Sequence, residues 1–376
     1  MSENDKSVVR GLRDVAAAKS KLSYVDPNGS LYYLGYNIDD LIGRVVYAEI
    51  AYLLIHKRLP AKQELDEFSN QLIVEMNLPE PIVECIKKSP RNCHPIDILR
   101  TEVSHLGEYD PDIGDYSEAA NFRRATRLVA SVPAIVAAIH RVRQNKEPLS
   151  PKSEFGLAKN FLYMFTGEIP DDKEVSVIHR FMTLHADHSF NASTFAARVT
   201  ASTNSDMYSA VTSAIGTLKG PLHGGASEKV MDMLDDIDLE KDVNEYLQGL
   251  LDEKKKIMGF GHRVYKTQDP RTKHLRGIVE EFCHRERSQG LYNRCIQIEN
   301  IVFEKKKIYP NVDFYAAVAM DALGVTKEFF PLFFASSRIS GWVAHIIEQY
   351  EDAVLLRPSA EYVGEFGKQF IVIGER

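Results

Sequence analysis

The stretch Ala119–Arg143, AANFRRATRLVASVPAIVAAIHRVR, decides the fold class. Its apolar residues recur three and four positions apart, which is the spacing of one stripe along an α-helix. They are Ala125, Leu128, Val129, Val132, Ile135, Val136 and Ile139. Asp115 or Ser117 is placed to cap the start of this helix, and Pro133 predicts a kink in it. The stretch therefore predicts a long helix with one face in the core.

The same helical period dominates the rest of the chain, whereas the alternation of strands is scarce. The spacing predicts further helices over Ala48–His56, Lys62–Met76, Lys173–Leu184, Asp206–Leu218 and His274–Gln289. Short strands are predicted only over Leu31–Tyr36 and Gln369–Ile373. No repeat of solenoid length stands out. These patterns predict an all-α protein.

One segment, Phe329–Ile347, is apolar almost all round and is predicted to lie in the core or at a subunit interface. Arg338 lies within it, and a buried guanidinium requires an anionic partner. No acidic residue stands one helical turn away, so a substrate carboxylate is a candidate partner. Arg357, just beyond the segment, is a second candidate for the same role.

The composition limits the classes of protein to which this chain can belong. The chain has 376 residues, 44% of them hydrophobic, and a net charge of −7. This balance is typical of a globular protein and gives no indication of a nucleic-acid or membrane partner. The first residues show no apolar signal segment, and the apolar runs are too short to span a bilayer. The four cysteines, Cys85, Cys93, Cys283 and Cys295, form no Cys-x-x-Cys pair, so we expect free thiols and a cytoplasmic location.

Two histidine clusters have more than one interpretation. Leu184–His188 carries His185 and His188 three positions apart, on one helix face if the helix continues. These histidines fit a metal site, a structural role, or contact with an anion or substrate. Lys219–Ala226, KGPLHGGA, places His223 in a glycine turn that lets the backbone approach a ligand closely.

Two further clusters follow. Gly259–Lys266, GFGHRVYK, begins like a dinucleotide fingerprint, but Val264 replaces the third glycine and no strand precedes it. What remains is His262 in a second glycine turn. In Tyr309–Phe314, YPNVDF, Asp313 is either a helix cap or a catalytic base.

Taken in order, these motifs resemble the citrate synthase family. The resemblance is carried by HADH with NAST, SDMYSA with LKGPLHGGA, GFGHRVYK with DPR, YPNVDF, SSR, and LLRP with YVG. It extends from about Gly11 to the end of the sequence, and the short bacterial and archaeal members are the most similar. It implies an all-α homodimer, with a large domain over 1–223 and 321–376 and a smaller mobile domain over 224–320.

The resemblance also implies roles for individual residues. Asp313 would remove a proton from the acyl-CoA, His223 would stabilise the enol, and His262 would polarise the ketone of oxaloacetate. His188, Arg271 and Arg338 would bind oxaloacetate, with Arg357 contributed by the partner subunit. The residues implied near the CoA phosphates are Lys256, Lys266 and Lys306; outside the family context, lysine runs are usually solvated surface. Ser227 stands where many members have Asn.

Several functions stay open from the sequence. Within the family, a 2-methylcitrate synthase acting on propionyl-CoA is the close alternative to a citrate synthase, since one methylene changes binding by only about 1–3 kcal/mol. The resemblance implies no cofactor and no metal, because the CoA thioester would itself be a substrate. A metal-dependent hydrolase and a non-catalytic helical scaffold are the alternatives from other classes.

Overall fold

The computed structural model describes residues 9–12, 15–238, 242–282 and 286–376. Within these ranges the chain forms 16 α-helices and one small antiparallel sheet, which confirms the predicted all-α class. The division into a large and a smaller domain stays a prediction.

The sheet has the order β1–β2–β3, with β1 Ser23–Asp26, β2 Ser30–Tyr33 and β3 Tyr36–Asn37. The first eight helices are α1 Ile38–Leu41, α2 Tyr47–His56, α3 Lys62–Glu75, α4 Glu80–Lys88, α5 Pro95–Leu106, α6 Glu118–Arg143, α7 Leu157–Thr166 and α8 Asp172–His185. The others are α9 Ala192–Ala201, α10 Met207–Leu218, α11 Ala226–Asp238, α12 Val243–Asp252, α13 Pro270–Phe282, α14 Glu286–Lys306, α15 Val312–Ala322 and α16 Phe330–Asp352. Short 3-10 helices lie at Arg10–Leu12, Gly107–Tyr109, Lys327–Phe329 and Ile373–Glu375.

Helix α6 forms where its sequence predicts a helix. Ser117 caps it by accepting a hydrogen bond from the Ala120 amide, and the helix passes through Pro133 as one element. The helix is long and apolar enough to cross a membrane, but 94% of its most apolar 18-residue stretch is buried inside the protein. Such burial is typical of a core helix.

Helix α16 is the second core helix and packs against α2, α6, α8, α9 and α10. Its residues are buried over nearly the whole length, with Trp342 fully enclosed, which confirms the core position predicted from its apolar character. Because α16 is buried on every side, polar residues within it face the interior or a site rather than bulk water.

The small sheet holds the loop that follows α8. Tyr33 is buried, and its hydroxyl donates to the Thr183 and Asp187 carbonyls at 3.0 and 3.1 Å. Ser23 donates to the Asp187 carboxylate at 2.5 Å and accepts from the Ser189 amide at 2.8 Å. Asp187 and Ser189, the residues before and after His188, are thereby hydrogen-bonded to the sheet.

Two local predictions were wrong. Gln369–Ile373 forms no strand and is exposed, since the described chain offers it no pairing partner. Helix α8 ends at His185, so His188 lies in the following loop and shares no helix face with it. The described parts of the predicted helix over His274–Gln289 are helical, within α13 up to Phe282 and within α14 from Glu286, and residues 283–285 lie outside the described residues. Cys283 lies outside the described residues.

Candidate active site

Two buried arginines form the centre of the candidate site. Arg271, in the first turn of α13, donates from Nε and Nη2 to both carboxylate oxygens of Asp269, at 2.9 and 2.7 Å. Burial opposes the charge of Arg271, but the Asp269 carboxylate outweighs it and raises the arginine pKa. This pairing lets a guanidinium remain charged inside the protein.

Arg338, in the middle of α16, is the second cation. Its Nε donates to the His185 carbonyl at 2.6 Å, and its guanidinium lies 4.6 Å from the centre of the Phe334 ring. Burial lowers the pKa of Arg338 to about 10, which leaves it charged at neutral pH. Among the described residues no carboxylate forms an ion pair with it, so an anionic ligand suits this position.

His188 lies beside both arginines. Burial first, and then the charge of Arg271, lowers its pKa well below the usual value. Its Nε2 is 3.2 Å from the Tyr265 hydroxyl, and its ring is 5.5 Å from the ring of His262. His188 is therefore a neutral hydrogen-bonding group at neutral pH.

His262 is held as one defined tautomer. Its Nδ1 accepts hydrogen bonds from the amides of Val264 and Tyr265, each at 3.0 Å. Burial, with the charge of Arg271, lowers its pKa to about 4. A neutral imidazole whose Nδ1 accepts must carry its proton on Nε2, so His262 presents one N–H donor.

His223 lies in the turn between α10 and α11. Its Nε2 is 2.8 Å from the Ser193 hydroxyl, which also accepts from the Trp342 indole at 3.1 Å. Burial, with the charge of Arg338, lowers the pKa of His223 to about 4. A Cβ at Gly224 would lie 2.5 Å from the Leu218 carbonyl, so only glycine permits this turn as it stands.

Asp313 lies in the first turn of α15, one position inside its start. Asn311 is the cap, accepting from the Asp313 amide at 3.0 Å, so the interpretation of Asp313 as the cap was wrong. Burial raises the pKa of Asp313 to about 6, against a hydrogen bond at 3.1 Å from Ser227, which lowers it. A carboxylate with a pKa near neutrality is suited to act as a base.

The predicted residues at the edges of the site are exposed. Lys256 follows α12, Lys266 follows His262, and Lys306 ends α14. Arg357 lies in the exposed segment after α16 and makes no hydrogen bond or ion pair with the described residues. The structure therefore brings together His188, His223, His262, Asp313, Arg271 and Arg338, but does not bring Arg357 to them.

Sequence reasoning missed the residues that support this cluster. Ser193, Tyr265 and Asp269 each contact a site residue, yet none was assigned a role. All three lie inside the motifs quoted above, and this position was the only sequence feature that could have indicated a role for them. Their contacts depend on the tertiary arrangement, so the motif letters alone do not indicate them.

The chain is similar in sequence and in fold to known proteins. The family description "Citrate synthase, C-terminal domain" matches residues 11–359. The chain belongs to the citrate synthase family. It is 46% identical over 371 residues to "Citrate synthase 2" of Bacillus subtilis, covering 98% of this chain and 100% of that protein. It is 39% identical over 383 residues to "2-methylcitrate synthase 1" of Corynebacterium glutamicum, covering 99% and 100%.

A solved structure of the family is similar throughout. Citrate synthase from the archaeon Thermoplasma acidophilum, described as a ternary complex with carboxymethyl coenzyme A and oxaloacetate, matches with a TM-score of 0.92. It is 32% identical, and the match covers 98% of this chain and 100% of that one. As a citrate synthase family member, the chain is an acyltransferase in which the acyl group becomes an alkyl group on transfer.

Proposed function

We propose that this enzyme is a citrate synthase, which condenses oxaloacetate with acetyl-CoA and hydrolyses the citryl-CoA thioester to citrate and CoA. The observation that carries the proposal is the grouping of one carboxylate base and two neutral histidines around the Arg271 and Arg338 guanidinium groups. The relative with 46% identity, named a citrate synthase, supports this choice.

The first step is removal of a proton from the acetyl methyl group. Asp313 takes this proton, and negative charge moves onto the thioester oxygen. The Ser193 hydroxyl lies 2.8 Å from both His223 Nε2 and Asn191 Oδ1. In the reacting complex Ser193 donates to Nε2, and His223 then donates from Nδ1 to the thioester oxygen. A carboxylate alone is a weak base for such a carbon acid, so a donor placed at the developing charge supplies the missing stabilisation.

The enol carbon then attacks the ketone carbon of oxaloacetate. His262 Nε2–H polarises the ketone oxygen and gives its proton to the forming alkoxide, which yields citryl-CoA. Asp313 is then protonated and His262 has lost its ring proton. Return of one proton from Asp313 to His262 restores both groups, so condensation consumes none. Water then attacks the thioester carbon, the carbon–sulfur bond breaks, and CoA leaves as the thiol.

Oxaloacetate carries two carboxylates, which explains the need for buried cations. We assign them to Arg271 and Arg338, with His188 as an additional hydrogen-bonding partner. Guanidinium groups match carboxylates in bidentate geometry. Lys256, Lys266 and Lys306 are the proposed contacts for the CoA phosphates, and their exposure is compatible with a ligand that binds from solvent. No cofactor is required by this chemistry.

The runner-up is 2-methylcitrate synthase with propionyl-CoA, either as the main or as a mixed activity. It is favoured by the relative of that name, which aligns over the whole chain. The two substrates differ by one methylene, so the same residues serve both reactions.

The deciding experiment measures free-thiol release with oxaloacetate, comparing acetyl-CoA with propionyl-CoA. A higher kcat/KM for acetyl-CoA supports citrate synthase, and a higher value for propionyl-CoA supports the alternative. Asp313→Asn, which keeps the shape of the side chain, is the control for both. If neither thioester gives thiol release that depends on oxaloacetate, the proposed function is wrong.

We also propose that the enzyme is a cytoplasmic homodimer. The segment after α16 exposes apolar side chains, with Val363, Phe366 and Ile373 more than four-fifths exposed. Such a surface is typical of a segment that is covered by a partner. Arg357 belongs to this segment, which supports its contribution to the site of the other subunit.

Domain closure is part of the same proposal. The intermediate must be shielded from water during enolisation and exposed to it for hydrolysis, and closure of a mobile unit is a common means. The glycine turns around His223 and His262 are the proposed walls of the cleft. Small-angle scattering should show compaction when oxaloacetate and a CoA analogue are added together; an unchanged radius of gyration would contradict closure.

A further inference from the structure

A second cluster of chemically active side chains lies between α4 and α5. It consists of Cys85 from α4 with Glu102 and His105 from α5. One sulfur, one oxygen and one ring nitrogen, one from each residue, all lie within 4.8 Å of one another. None of these residues contacts the histidines, Asp313 or the two arginines of the active site in the described structure.

Glu102 is the unusual member of the cluster. It is completely buried, and its Oε2 is 3.2 Å from Nδ1 of His105. Its other oxygen, Oε1, has no hydrogen-bond partner among the described residues, and no lysine or arginine of those residues forms an ion pair with it. The partners of Glu102 are the His105 ring and the Cys85 thiol, and hydrogen bonding to Glu102 raises the pKa of that thiol. A buried carboxylate without a cationic partner is costly, so the position favours a cation.

We propose that Cys85, Glu102 and His105 bind a divalent transition-metal ion of the zinc type. Glu102 and His105 are three positions apart and therefore project from the same face of α5. Cys85 faces them because α4 packs directly against α5. The fourth ligand is water, since Cys85 and His105 are only partly buried.

The donor set selects the kind of ion. Calcium and magnesium prefer oxygen ligands throughout, whereas a thiolate with an imidazole and a carboxylate suits zinc or cobalt. Zinc–ligand bonds of about 2.0–2.3 Å place tetrahedral ligands roughly 3.3–3.7 Å apart. Binding therefore requires the most distant pair of donor atoms to approach by about 1 Å, which side-chain rotation provides. The thiol gives up its proton to solvent as the metal–sulfur bond forms.

The test uses full-length, tag-free protein that has been stripped of metal. Cobalt(II) titration followed by near-ultraviolet absorption should give a thiolate-to-cobalt charge-transfer band that saturates at one ion per chain. Competition with a chromophoric chelator then gives the zinc affinity. We expect Cys85→Ser to remove the band, and His105→Gln to weaken zinc binding by more than about 100-fold.

Cys93→Ser is the matched control, because Cys93 is also a partly buried free thiol but lies outside the cluster. It should keep both the band and the affinity. The proposal is overturned if Cys85→Ser binds like the wild type, if Cys93→Ser loses the band, or if His223→Gln or His262→Gln abolishes binding instead. Oxaloacetate-dependent thiol release should be unchanged in Cys85→Ser, which separates this site from the proposed function.

Discussion

The backbone amides next to His262 determine which ring nitrogen carries its proton. The amides of Val264 and Tyr265 both point at Nδ1, and burial keeps the ring neutral. Nε2–H is thereby available as a donor without any ion pair to the imidazole. A neutral donor suits the proposed role, because it polarises a ketone without placing a full charge next to Arg271.

The tautomer of His262 can be measured directly. Nitrogen-15 NMR of the free enzyme should show a neutral ring with its proton on Nε2 from pH 8 down to about 5, with titration only near pH 4. The spectrum of His262→Gln identifies the signals. A doubly protonated ring at pH 7, or a proton on Nδ1, would contradict the assignment.

Ser227 lowers the pKa of Asp313, the proposed base. Its hydroxyl donates to Asp313, which stabilises the charged carboxylate and opposes the effect of burial. Asp313 acts when deprotonated, so kcat/KM should fall about tenfold per pH unit below its pKa of about 6. In Ser227→Ala the pKa should rise, and the acidic limb of the profile should move to higher pH.

Ser227→Asn is the matched control, because it keeps a hydrogen-bond donor and should keep the acidic limb near that of the wild type. The measurement is kcat/KM for thiol release across pH 5–9. An acidic limb that stays in place or moves to lower pH in Ser227→Ala would show that this hydrogen bond does not set the pKa of Asp313.

At the scale of elements, two loops that are distant in sequence are joined side by side. Gly261 N donates to the Tyr309 carbonyl at 2.9 Å, and Asn311 N donates to the Gly259 carbonyl at 2.8 Å. The Asn311 side chain adds a third hydrogen bond, to the Gly261 carbonyl at 2.9 Å. His262 follows one loop and Asp313 follows the other, so this pairing places the proposed acid and base relative to each other.

Gly259→Ala tests this junction. Gly259 has a φ of +77°, and an added Cβ would lie 2.9 Å from atoms of Phe314 and Val230. We expect a loss of about 2–5 kcal/mol in the free energy of unfolding, from backbone strain together with overpacking. Urea unfolding measures the loss, and kcat should fall because the loop carrying His262 shifts.

Gly261→Ala separates the two causes. Its φ of +80° is similar, but nothing lies within 4 Å of the added Cβ. It should therefore show only the backbone cost, about 1–2 kcal/mol. Equal losses in the two variants would mean that packing against Phe314 does not constrain the loop.

At the scale of the whole molecule, the site is gathered from distant parts of the chain. The sheet near the beginning holds the loop of His188, and α16 near the end supplies Arg338. A buried network extends behind them: His345 Nε2 is 3.2 Å from the Asp187 carboxylate, and Arg198 pairs with Glu348 at 2.5 Å. These contacts connect the proposed oxaloacetate side of the site to the core.

The proposed exchange of Arg357 between subunits predicts complementation. Arg357→Ala and Asp313→Asn should each be nearly inactive as homodimers. A heterodimer of the two, isolated with two different tags, contains one complete site if Arg357 acts across the interface. We expect about half of the wild-type kcat, because one of the two symmetric sites is intact. An inactive heterodimer would indicate that Arg357 serves its own subunit.

The sequence by itself determined the class of fold and the inventory of chemistry. Apolar spacing predicted α6 and α10 to within one residue, because the period of a helix is local information. The glycine turns around His223 and His262 were also predicted from the sequence, because glycine-rich turns are local in sequence as well. Where local patterns were ambiguous, as for the end of α8 at His185, the prediction was wrong.

Only the tertiary structure decided which groups act on one another. Arg271 and Arg338 are 67 positions apart, yet the charges of both act on His188. The family resemblance implied this grouping, but no sequence spacing does. The junction of Cys85 with Glu102 and His105 likewise depends on how α4 packs on α5. Helical periods arise from contacts within a turn, whereas a site arises from long-range packing, and that packing depends on the whole core at once.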